Sequence, residues 1–397
     1  MADASLTIDG VEVLKKTSGE VNLTNTNFVP NSSFMFRNKI INGGMQIAQR
    51  GTQLTFAHDN STAKPSSGYH LDRFAIYLHN TDEYECTVSQ YSMTAAEINT
   101  TGHAKALKLL TVDAESSGIA NDEYARFHYK PEGQDVQDFL HGTASAKTGT
   151  LSFWVKSSIT GNFGFNLYRY VSSGNARSIN LSYTINAANT WEKKTISIVG
   201  DTGGATIPNA NTAGLLIIWQ LAAGSNFHST ASSSWSDYAS TRLMNSGKSD
   251  AVITTAGADW YLTGVQLEIG SVATPFEHRP IGMELSLCQR YFQIKNLFQG
   301  STIHHANGQY GGSTNHSHYN LQTTMRSAPT VTISQPTQVQ TYHQNGSWTN
   351  VTVSALNSYN DMIGVSFGDN GNNYGGYLRL TGYVSSTKPT ALCSSEL

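Results

Sequence analysis

Apolar and polar residues alternate with a period of two along much of the chain, which is the spacing of β-strands with one buried face. The clearest apolar sets are Phe74/Ile76/Leu78, Leu151/Phe153/Val155, Phe163/Phe165/Leu167, Ile179/Leu181/Tyr183/Ile185 and Tyr261/Val265/Leu267/Ile269. Clusters of Gly, Asn and Ser separate these runs at the spacing of a β-sandwich. The pattern predicts two packed antiparallel sheets.

One run is apolar on both faces. Its large side chains are Leu215, Ile217, Trp219 and Leu221 on one face, and Leu216 and Ile218 on the other. A strand of this kind is expected at the centre of a sheet, covered on both sides. The whole apolar segment is about a dozen residues and contains Gln220, whereas a membrane span needs ~20 apolar residues. It therefore predicts a buried strand and no membrane span.

The strand and turn pattern divides the all-β chain into four parts. Residues 1–34 predict an N-terminal arm, 35–280 an antiparallel β-sandwich of jelly-roll type, 281–294 a helical junction, and 295–397 a second, smaller β-sandwich domain. The helix is predicted over 282–292, because Pro280 precedes it and Glu284 lies in its first turn, with Met283, Leu287 and Tyr291 on one face. Asn345-Gly346 predicts a hairpin turn in the last part.

Composition narrows the function classes. Only 13% of the 397 residues are charged, against about 25% in an average soluble domain, and the net charge is −3. Such a balance disfavours binding to a nucleic-acid backbone. Three isolated cysteines, Cys86, Cys288 and Cys393, fit neither a disulfide framework nor a cysteine zinc site, and Cys288 is expected to be a small buried residue. The N-terminus has no signal-peptide pattern, so we expect synthesis in the cytosol.

Two stretches carry a family resemblance. The first is NKIINGGMQIAQRGT (38–52), followed by LDRFAIY (71–77), and the second is WYLTGVQLEIGSVATPFEHRPIGMELSLCQRYF (260–292). Together they resemble bacteriophage tail fibre and related virion appendage proteins, in which a jelly-roll domain similar to carbohydrate-binding modules ends in a segment of this kind. MRSAPTVTIS (325–334) is similar to the start of the C-terminal β domain of such proteins.

This resemblance implies a virion structural protein, commonly a homotrimer, that is made in the host cytoplasm and located on the phage tail or particle surface. Its N-terminus would attach to other virion proteins, and its outer domains would bind host-surface glycans. We therefore expect a receptor-binding tail fibre protein. A capsid or tail decoration protein without sugar binding is the alternative, and an exopolysaccharide depolymerase is a third hypothesis.

Catalysis is not expected from the residues. The sequence has no G-x-S-x-G elbow, no H-E-x-x-H motif and no phosphate-binding loop. The carboxylates of Asp82/Glu83 and of Asp122/Glu123 would point in opposite directions on a strand, so only the loop set Glu132/Asp135/Asp138 could converge as glycosidase groups do. The three sets are otherwise interpreted as surface charge or as ligands of a structural Ca²⁺.

Aromatic residues on an outer sheet face can stack on sugar rings. Alternation places Trp154 opposite Phe153 and Val155, and places Tyr168 and Tyr170, beside Asn166, opposite Phe165 and Leu167. We expect these residues to line one polar and aromatic face that contacts a glycan, unless a loop or another subunit covers it. Trp235 and Trp348 are expected as further exposed aromatics, with the alternative that each only fixes its loop.

Histidines are concentrated near residue 310, at His304, His305, His316 and His318. Residues i and i+2 of a strand point to the same side, so His316 and His318 of three chains could together hold a transition metal on a trimer axis. The alternative is a polar surface strand with two histidines on one face.

Overall fold

The computed structural model describes residues 4–8, 11–17, 20–23, 36–57, 66–169, 176–229, 232–238, 244–245, 249–297, 310–311, 314–334, 339–342, 348–351, 353–368, 378–380 and 390–397. It confirms the predicted all-β architecture, in which two antiparallel sheets form a sandwich and smaller sheets precede and follow it along the chain. The domain boundaries given above stay predictions.

Eighteen strands, two short α-helices and two 3₁₀ helices (Gly133–Phe139 and Ser225–Phe227) lie among the described residues up to 269. The strands and α-helices are named here in chain order. They are β1 (Ala4–Ile8), β2 (Val11–Thr17), β3 (Glu20–Leu23), β4 (Gln53–Ala57), β5 (Ser67–Tyr69), β6 (Phe74–His79), β7 (Glu85–Ser92), α1 (Ala95–Thr101), β8 (Lys105–Asp113), β9 (Tyr124–Tyr129), β10 (Gly149–Ser157), β11 (Gly161–Arg169), β12 (Arg177–Ile185), β13 (Glu192–Ile198), β14 (Leu215–Ala223), β15 (His228–Ser229), β16 (Ser232–Asp237), β17 (Met244–Asn245), α2 (Ala251–Thr254) and β18 (Asp259–Ile269).

The sandwich consists of a six-stranded sheet in the order β13-β10-β18-β8-β7-β4 and a seven-stranded sheet in the order β16-β12-β11-β14-β9-β6-β5. Strands β1, β2 and β3 form a three-stranded antiparallel sheet of their own, and β15 pairs with β17 in parallel. The role of the N-terminal segment as an attachment arm stays a prediction.

The hydrophobic core lies between the two large sheets. Trp219 of β14 is fully buried at its centre, with its ring 6.0 Å from the Phe153 ring and 5.8 Å from the Phe165 ring. The prediction for β14 is confirmed: it is the fourth of seven strands, and Leu216 and Ile218 on its outer face are also buried. Burying a side chain of this size contributes about 1.5–3 kcal/mol.

The helix predicted after Pro280 is α3 (Ile281–Gln289), and Pro280 occupies its N-cap position. Of the three residues predicted to share one face, Tyr291 is buried and Leu287 packs against the core, whereas Met283 is exposed. Glu284 and Cys288 are also buried. Glu284 faces inward since its carboxylate accepts hydrogen bonds from the Asn42 backbone and from Arg279.

Cys288 is a free, buried thiol, as expected, and Cys86 and Cys393 are likewise free and buried.

Ten further strands follow α3 in the described residues. They are β19 (Phe292–Asn296), β20 (Tyr310–Gly311), β21 (Thr314–Asn320), β22 (Thr330–Ile333), β23 (Val339–Tyr342), β24 (Trp348–Val351), β25 (Val353–Ser358), β26 (Met362–Gly368), β27 (Leu378–Leu380) and β28 (Thr390–Ser394).

These strands form three small sheets, ordered β19-β28-β22, β20-β21-β26-β25 and β24-β23-β27. Antiparallel pairing of Tyr342 with Trp348 agrees with the predicted hairpin, whose turn lies outside the described residues.

The C-terminal segment returns to the sandwich: Glu396 binds Arg73 at 2.6 Å and Arg50 at 3.0 Å. Among the described residues, no helix has the length and apolar character needed to cross a membrane.

Candidate functional site

A group of aromatic and basic side chains lies on the outer face of the seven-stranded sheet. We call this group the aromatic surface; its members are Tyr77, His79, Tyr124, Arg126 and Phe227. All five are half-buried, so each still exposes part of its side chain. The rings are in close contact: His79 and Tyr124 stack with centroids 4.8 Å apart, and Phe227 meets Tyr124 edge-on at 4.9 Å.

Strand register explains why these residues share one face. In the antiparallel pairing of β6 with β9, Tyr77 is opposite Arg126 and His79 is opposite Tyr124. The intervening residues, such as Ile76 and Phe127, point into the core. Since side chains opposite each other in a ladder lie about 5 Å apart, the pairing produces a continuous surface.

Arg126 lies over two rings of this surface. Its guanidinium carbon is 4.8 Å from the Tyr124 ring centroid and 5.4 Å from the Tyr77 centroid. Its Nε and Nη1 atoms are buried and have no hydrogen-bond partner. The surface therefore combines ring faces with guanidinium donors, which suits a ligand that has both apolar faces and oxygen acceptors.

A second aromatic pair lies on the same sheet face. Tyr168 of β11 meets Tyr238, which follows β16, edge-on with centroids 4.5 Å apart. Leu216 and Ile218 pack with Tyr168 and with Tyr124, so an apolar floor connects the two aromatic groups.

Three predicted glycan contacts on this side have different outcomes. Tyr168 is half-buried and lies on the outer face, as expected. Asn166 is fully buried, and its Nδ2 donates to Asn180 Oδ1 at 2.6 Å, so it supports the strand pair and is covered from solvent. Tyr170 lies outside the described residues.

Trp154 lies on the opposite side of the sandwich, because β10 belongs to the six-stranded sheet and β11 to the seven-stranded sheet. The expectation that Trp154 and Tyr168 share one face is therefore wrong. Trp154 is half-buried beside a cluster that surrounds Lys156. The Lys156 ammonium lies 4.2 Å from the Tyr261 ring centroid and 5.3 Å from that of Trp191.

Glu97 of α1 completes this cluster. Its Oε1 is 2.6 Å from Lys156 Nζ and accepts a 3.0 Å hydrogen bond from Trp191 Nε1, while its Oε2 accepts a bond from the Thr94 backbone. Partial burial alone raises the pKa of Glu97, but the hydrogen bonds from Lys156, Thr94, Trp191 and Tyr91 outweigh it and lower the pKa to about 2. The polar groups of the cluster are thus paired with one another, which is typical of a structural role.

The remaining predicted tryptophans are not part of the aromatic surface. Trp235 was expected to be exposed, and this is wrong: it is buried, its Nε1 donates to Val199 O at 2.7 Å, and its ring meets His141 edge-on. It fixes β16 to the end of β13, which is the alternative stated for it. Trp348 begins β24, and its side chain lies outside the described residues.

The histidine pair lies in one strand, as predicted. His316 and His318 belong to β21, opposite Ser366 and Gly364 of β26. His318 is half-buried, and the side chain of His316 lies outside the described residues. A transition-metal site shared by three chains stays a prediction. His304 and His305 also lie outside the described residues.

The acidic sets behave differently from expectation. Glu132 binds Arg290 through two 2.8 Å hydrogen bonds and Asp138 pairs with Lys39 at 2.7 Å, so the loop set Glu132/Asp135/Asp138 does not converge. Instead, the structure brings carboxylates of Asp82, Glu115 and Glu123 within 4.8 Å of one another. Burial raises the pKa of Glu115 to about 7, and the neighbouring Glu123 and Asp82 add to this effect.

The two stretches that carry the family resemblance meet around a cavity of about 170 Å³, lined by residues such as Asn42, His103, Phe276 and Glu284. Asn38 Nδ2 donates to Val265 O at 3.1 Å, and the Asn38 backbone donates to Glu277 at 2.8 Å. A Cβ atom at Gly43 would lie 2.1 Å from Val265 O, so only glycine fits. These stretches therefore build a structural corner that joins distant parts of the chain.

Comparisons with known proteins give a likeness of fold. No protein-family model and no curated protein matches the sequence. Among solved structures, the enzymatically active domain of tailspike protein 4 from bacteriophage CBA120 matches with a TM-score of 0.30 and 12% identity, over 59% of this chain and 22% of that chain.

Two carbohydrate-binding modules match at a TM-score of 0.25. The xylan-binding CBM22-2 domain of Paenibacillus barcinonensis Xyn10C is 14% identical over 49% of this chain and 91% of its own. The family 11 module of cellulase Lic26A-Cel5E of Clostridium thermocellum is 10% identical over 56% of this chain and 97% of its own. At these TM-scores the likeness carries no conclusion about ligand or activity.

Proposed function

We propose that this chain is a non-enzymatic receptor-binding protein of a bacteriophage virion, and that the aromatic surface on the seven-stranded sheet binds a glycan of the host cell. The observation that carries the proposal is the contact between half-buried rings and a half-buried arginine whose Nε and Nη1 atoms have no hydrogen-bond partner. The sequence resemblance to tail fibre proteins supports the virion context, including a homotrimer that attaches through its N-terminus.

The chemistry of the surface suits a saccharide. Tyr77, Tyr124 and Phe227 offer ring faces or edges on which the C–H groups of a pyranose can pack. Arg126 and His79 supply groups for hydrogen bonds with hydroxyl or carboxylate oxygens. Binding at one such surface is expected to be weak, and several copies on one particle raise the overall affinity without new contacts.

We propose binding without hydrolysis because none of the five residues of the aromatic surface has a carboxyl group; they are three aromatic residues, a histidine and an arginine. Glycoside hydrolysis requires two carboxyl groups on either side of the bond that breaks. The three carboxylates that do converge are a separate group, and two of them, Glu115 and Glu123, are buried.

The test is competition for host cells. Saturating purified protein should bind the cells and reduce phage adsorption, because it occupies the same receptors. Stripping the surface polysaccharide from the cells should abolish binding. Normal infection at saturating protein would contradict the proposal and favour a decoration protein, and release of reducing ends from the polysaccharide would contradict its non-enzymatic part.

A further inference from the structure

Two loops bring five carboxylates together at one end of the sandwich. Asp82 and Glu83 lie between β6 and β7, Glu115 follows β8, and Asp122 and Glu123 directly precede β9. The loops are tied to one another: Glu83 Oε2 accepts hydrogen bonds from the Ser116 backbone and hydroxyl, and Asp122 Oδ2 accepts one from Asn80 Nδ2. Two of the five carboxylates are thus engaged in holding the loops.

The other three carboxylates point at one another. An oxygen of each of Asp82, Glu115 and Glu123 lies within 4.8 Å of the others. Glu115 has an exposed fraction of 0% and Glu123 of 4%, whereas Asp82 is exposed and opens the group to solvent. Like charges at this distance repel strongly in a buried environment, so a proton or a cation is needed to compensate the charge.

Glu115 provides an independent sign of a missing ligand. Neither of its carboxylate oxygens has a hydrogen-bond partner, although the residue is fully buried. Thr81, next to Asp82, is also fully buried, and its hydroxyl has no partner. Buried oxygen atoms without partners are uncommon, because such an atom loses its hydrogen bonds to water and gains none in the protein.

No protein cation neutralises the group within the described part of the chain. None of the ion pairs found there involves Asp82, Glu83, Glu115, Asp122 or Glu123. The nearest charges that act on Glu115 and Glu123 are other carboxylates.

We propose that Asp82, Glu115 and Glu123 bind one Ca²⁺ ion, which holds the β6–β7 loop and the β8–β9 loop together. An all-oxygen set with several carboxylates is the ligand type that Ca²⁺ takes, with six to eight oxygens in flexible geometry. Zinc prefers nitrogen and sulfur ligands, and Mg²⁺ demands a stricter octahedron and retains water. The proposal does not depend on glycan binding.

The experiment uses the full chain freed of metal with EGTA and then titrated with CaCl₂ alone. Calorimetry should show one Ca²⁺ per chain, and the midpoint of thermal unfolding should rise by about 3 °C at a hundredfold excess over the dissociation constant. MgCl₂ at the same concentration should give a much smaller rise. A wild-type chain that neither binds Ca²⁺ nor changes its midpoint would overturn the proposal.

Variants test whether the Ca²⁺ response depends on the proposed ligands or on the general charge of the protein. Glu115→Gln should lose Ca²⁺ binding, and in EGTA it should melt at or above the wild-type temperature because a buried charge is removed. Asp82→Asn, at the exposed ligand, should fold normally and bind Ca²⁺ at least tenfold more weakly, which keeps the test decisive if Glu115→Gln does not fold. Asp361→Asn, an exposed carboxylate elsewhere, should respond like wild type. A full Ca²⁺ response in Asp82→Asn would contradict the assigned ligands.

Discussion

Glu97 is the residue that links the N-terminus of α1 to the aromatic residues of the six-stranded sheet. It completes a capping box with Thr94 and accepts hydrogen bonds from Lys156, Trp191 and Tyr91. One carboxylate therefore serves as cap, ion-pair partner and acceptor, which explains why its pKa falls to about 2 although it is half-buried.

This pKa predicts an acid-dependent loss of stability. Since the pKa of Glu97 is about 2 in the folded chain and about 4.5 when unperturbed, its contribution is fully present above pH 4.5 and is lost as the pH falls toward 2. We expect the contribution to be on the order of 1–3 kcal/mol. Glu97→Gln should flatten the dependence of unfolding free energy on pH between 5 and 2, measured by urea denaturation. Asp138→Asn should keep the wild-type slope, and an equal slope in Glu97→Gln would contradict the assignment.

Glu396 should be important for stability, because it is the carboxylate partner of the buried Arg73 and also binds Arg50. Removing one partner of a buried ion pair leaves an uncompensated charge and costs about 3–5 kcal/mol. Glu396→Gln should therefore reduce the unfolding free energy by about 3 kcal/mol in chemical denaturation. The control is Asp138→Asn, whose pair with Lys39 is at the surface and should contribute less than about 1 kcal/mol. An equal loss of unfolding free energy in the two variants would contradict this prediction.

Single residues of the candidate site were only partly predictable. Alternation identified Tyr168 as outward-facing, and the same alternation along FAIYLH and YARFHY contained the signal for Tyr77, His79, Tyr124 and Arg126. The sequence did not show that β6 pairs with β9, because this pairing is a long-range contact. It also could not show that Asn166 and Trp235 are buried, because outward direction on a strand does not determine what covers it.

Strands and helices differed in how well the sequence defined them. Regular alternation and the doubly apolar β14 predicted the sandwich strands and the central position of β14, since burial on one or two faces leaves a direct trace in the sequence. The seven-residue α1 was missed, because its stability comes from the capping box and from Glu97 contacts with the sheet rather than from a long apolar stripe.

The ends of β6 and β9 connect the proposed calcium site to the aromatic surface. Glu123 immediately precedes Tyr124, and His79 is three residues before Asp82. The Glu123 backbone also accepts a hydrogen bond from Gly224, close to Phe227. A change in the two loops is therefore expected to reach three rings of the surface.

This connection predicts that EGTA weakens glycan binding. If Ca²⁺ orders the loops, its removal should lower the affinity for host polysaccharide by about three- to tenfold, because Tyr124 and His79 lose a fixed position. The measurement compares binding in EGTA with and without excess CaCl₂. Glu115→Gln should bind polysaccharide equally in both conditions, and a Ca²⁺ effect that persists in this variant would show that the ion acts elsewhere.

At the scale of the whole molecule, the sandwich, α3 and the C-terminal sheets are joined by specific contacts. Arg73 and Arg50 of the sandwich bind Glu396, and Arg290 of the segment after α3 binds Glu132. The chain has few charged residues because many outward positions of its strands carry Ser, Thr and Asn. The sequence predicted the fold class, while these contacts required the structure.

At the scale of the whole molecule, we predict that the protein is a homotrimer. Three chains of 43.1 kDa in a closed cyclic trimer would give a mass of ~130 kDa by light scattering. The trimer should persist on dilution to low micromolar concentration if it is obligate. A mass close to that of one chain would contradict the expected trimer, and it would also remove the arrangement needed for a metal shared by His316 and His318.

The most direct test of the central claim is the affinity of purified protein for isolated host-surface polysaccharide, compared between wild type and Tyr124→Ala. Tyr124 contacts His79, Arg126 and Phe227, so its loss removes the centre of the aromatic surface. We predict that Tyr124→Ala weakens binding about tenfold or more, which corresponds to about 1.4 kcal/mol. Tyr359→Ala, an exposed tyrosine between β25 and β26, should bind like wild type. Equal affinity of wild type and Tyr124→Ala would contradict the account.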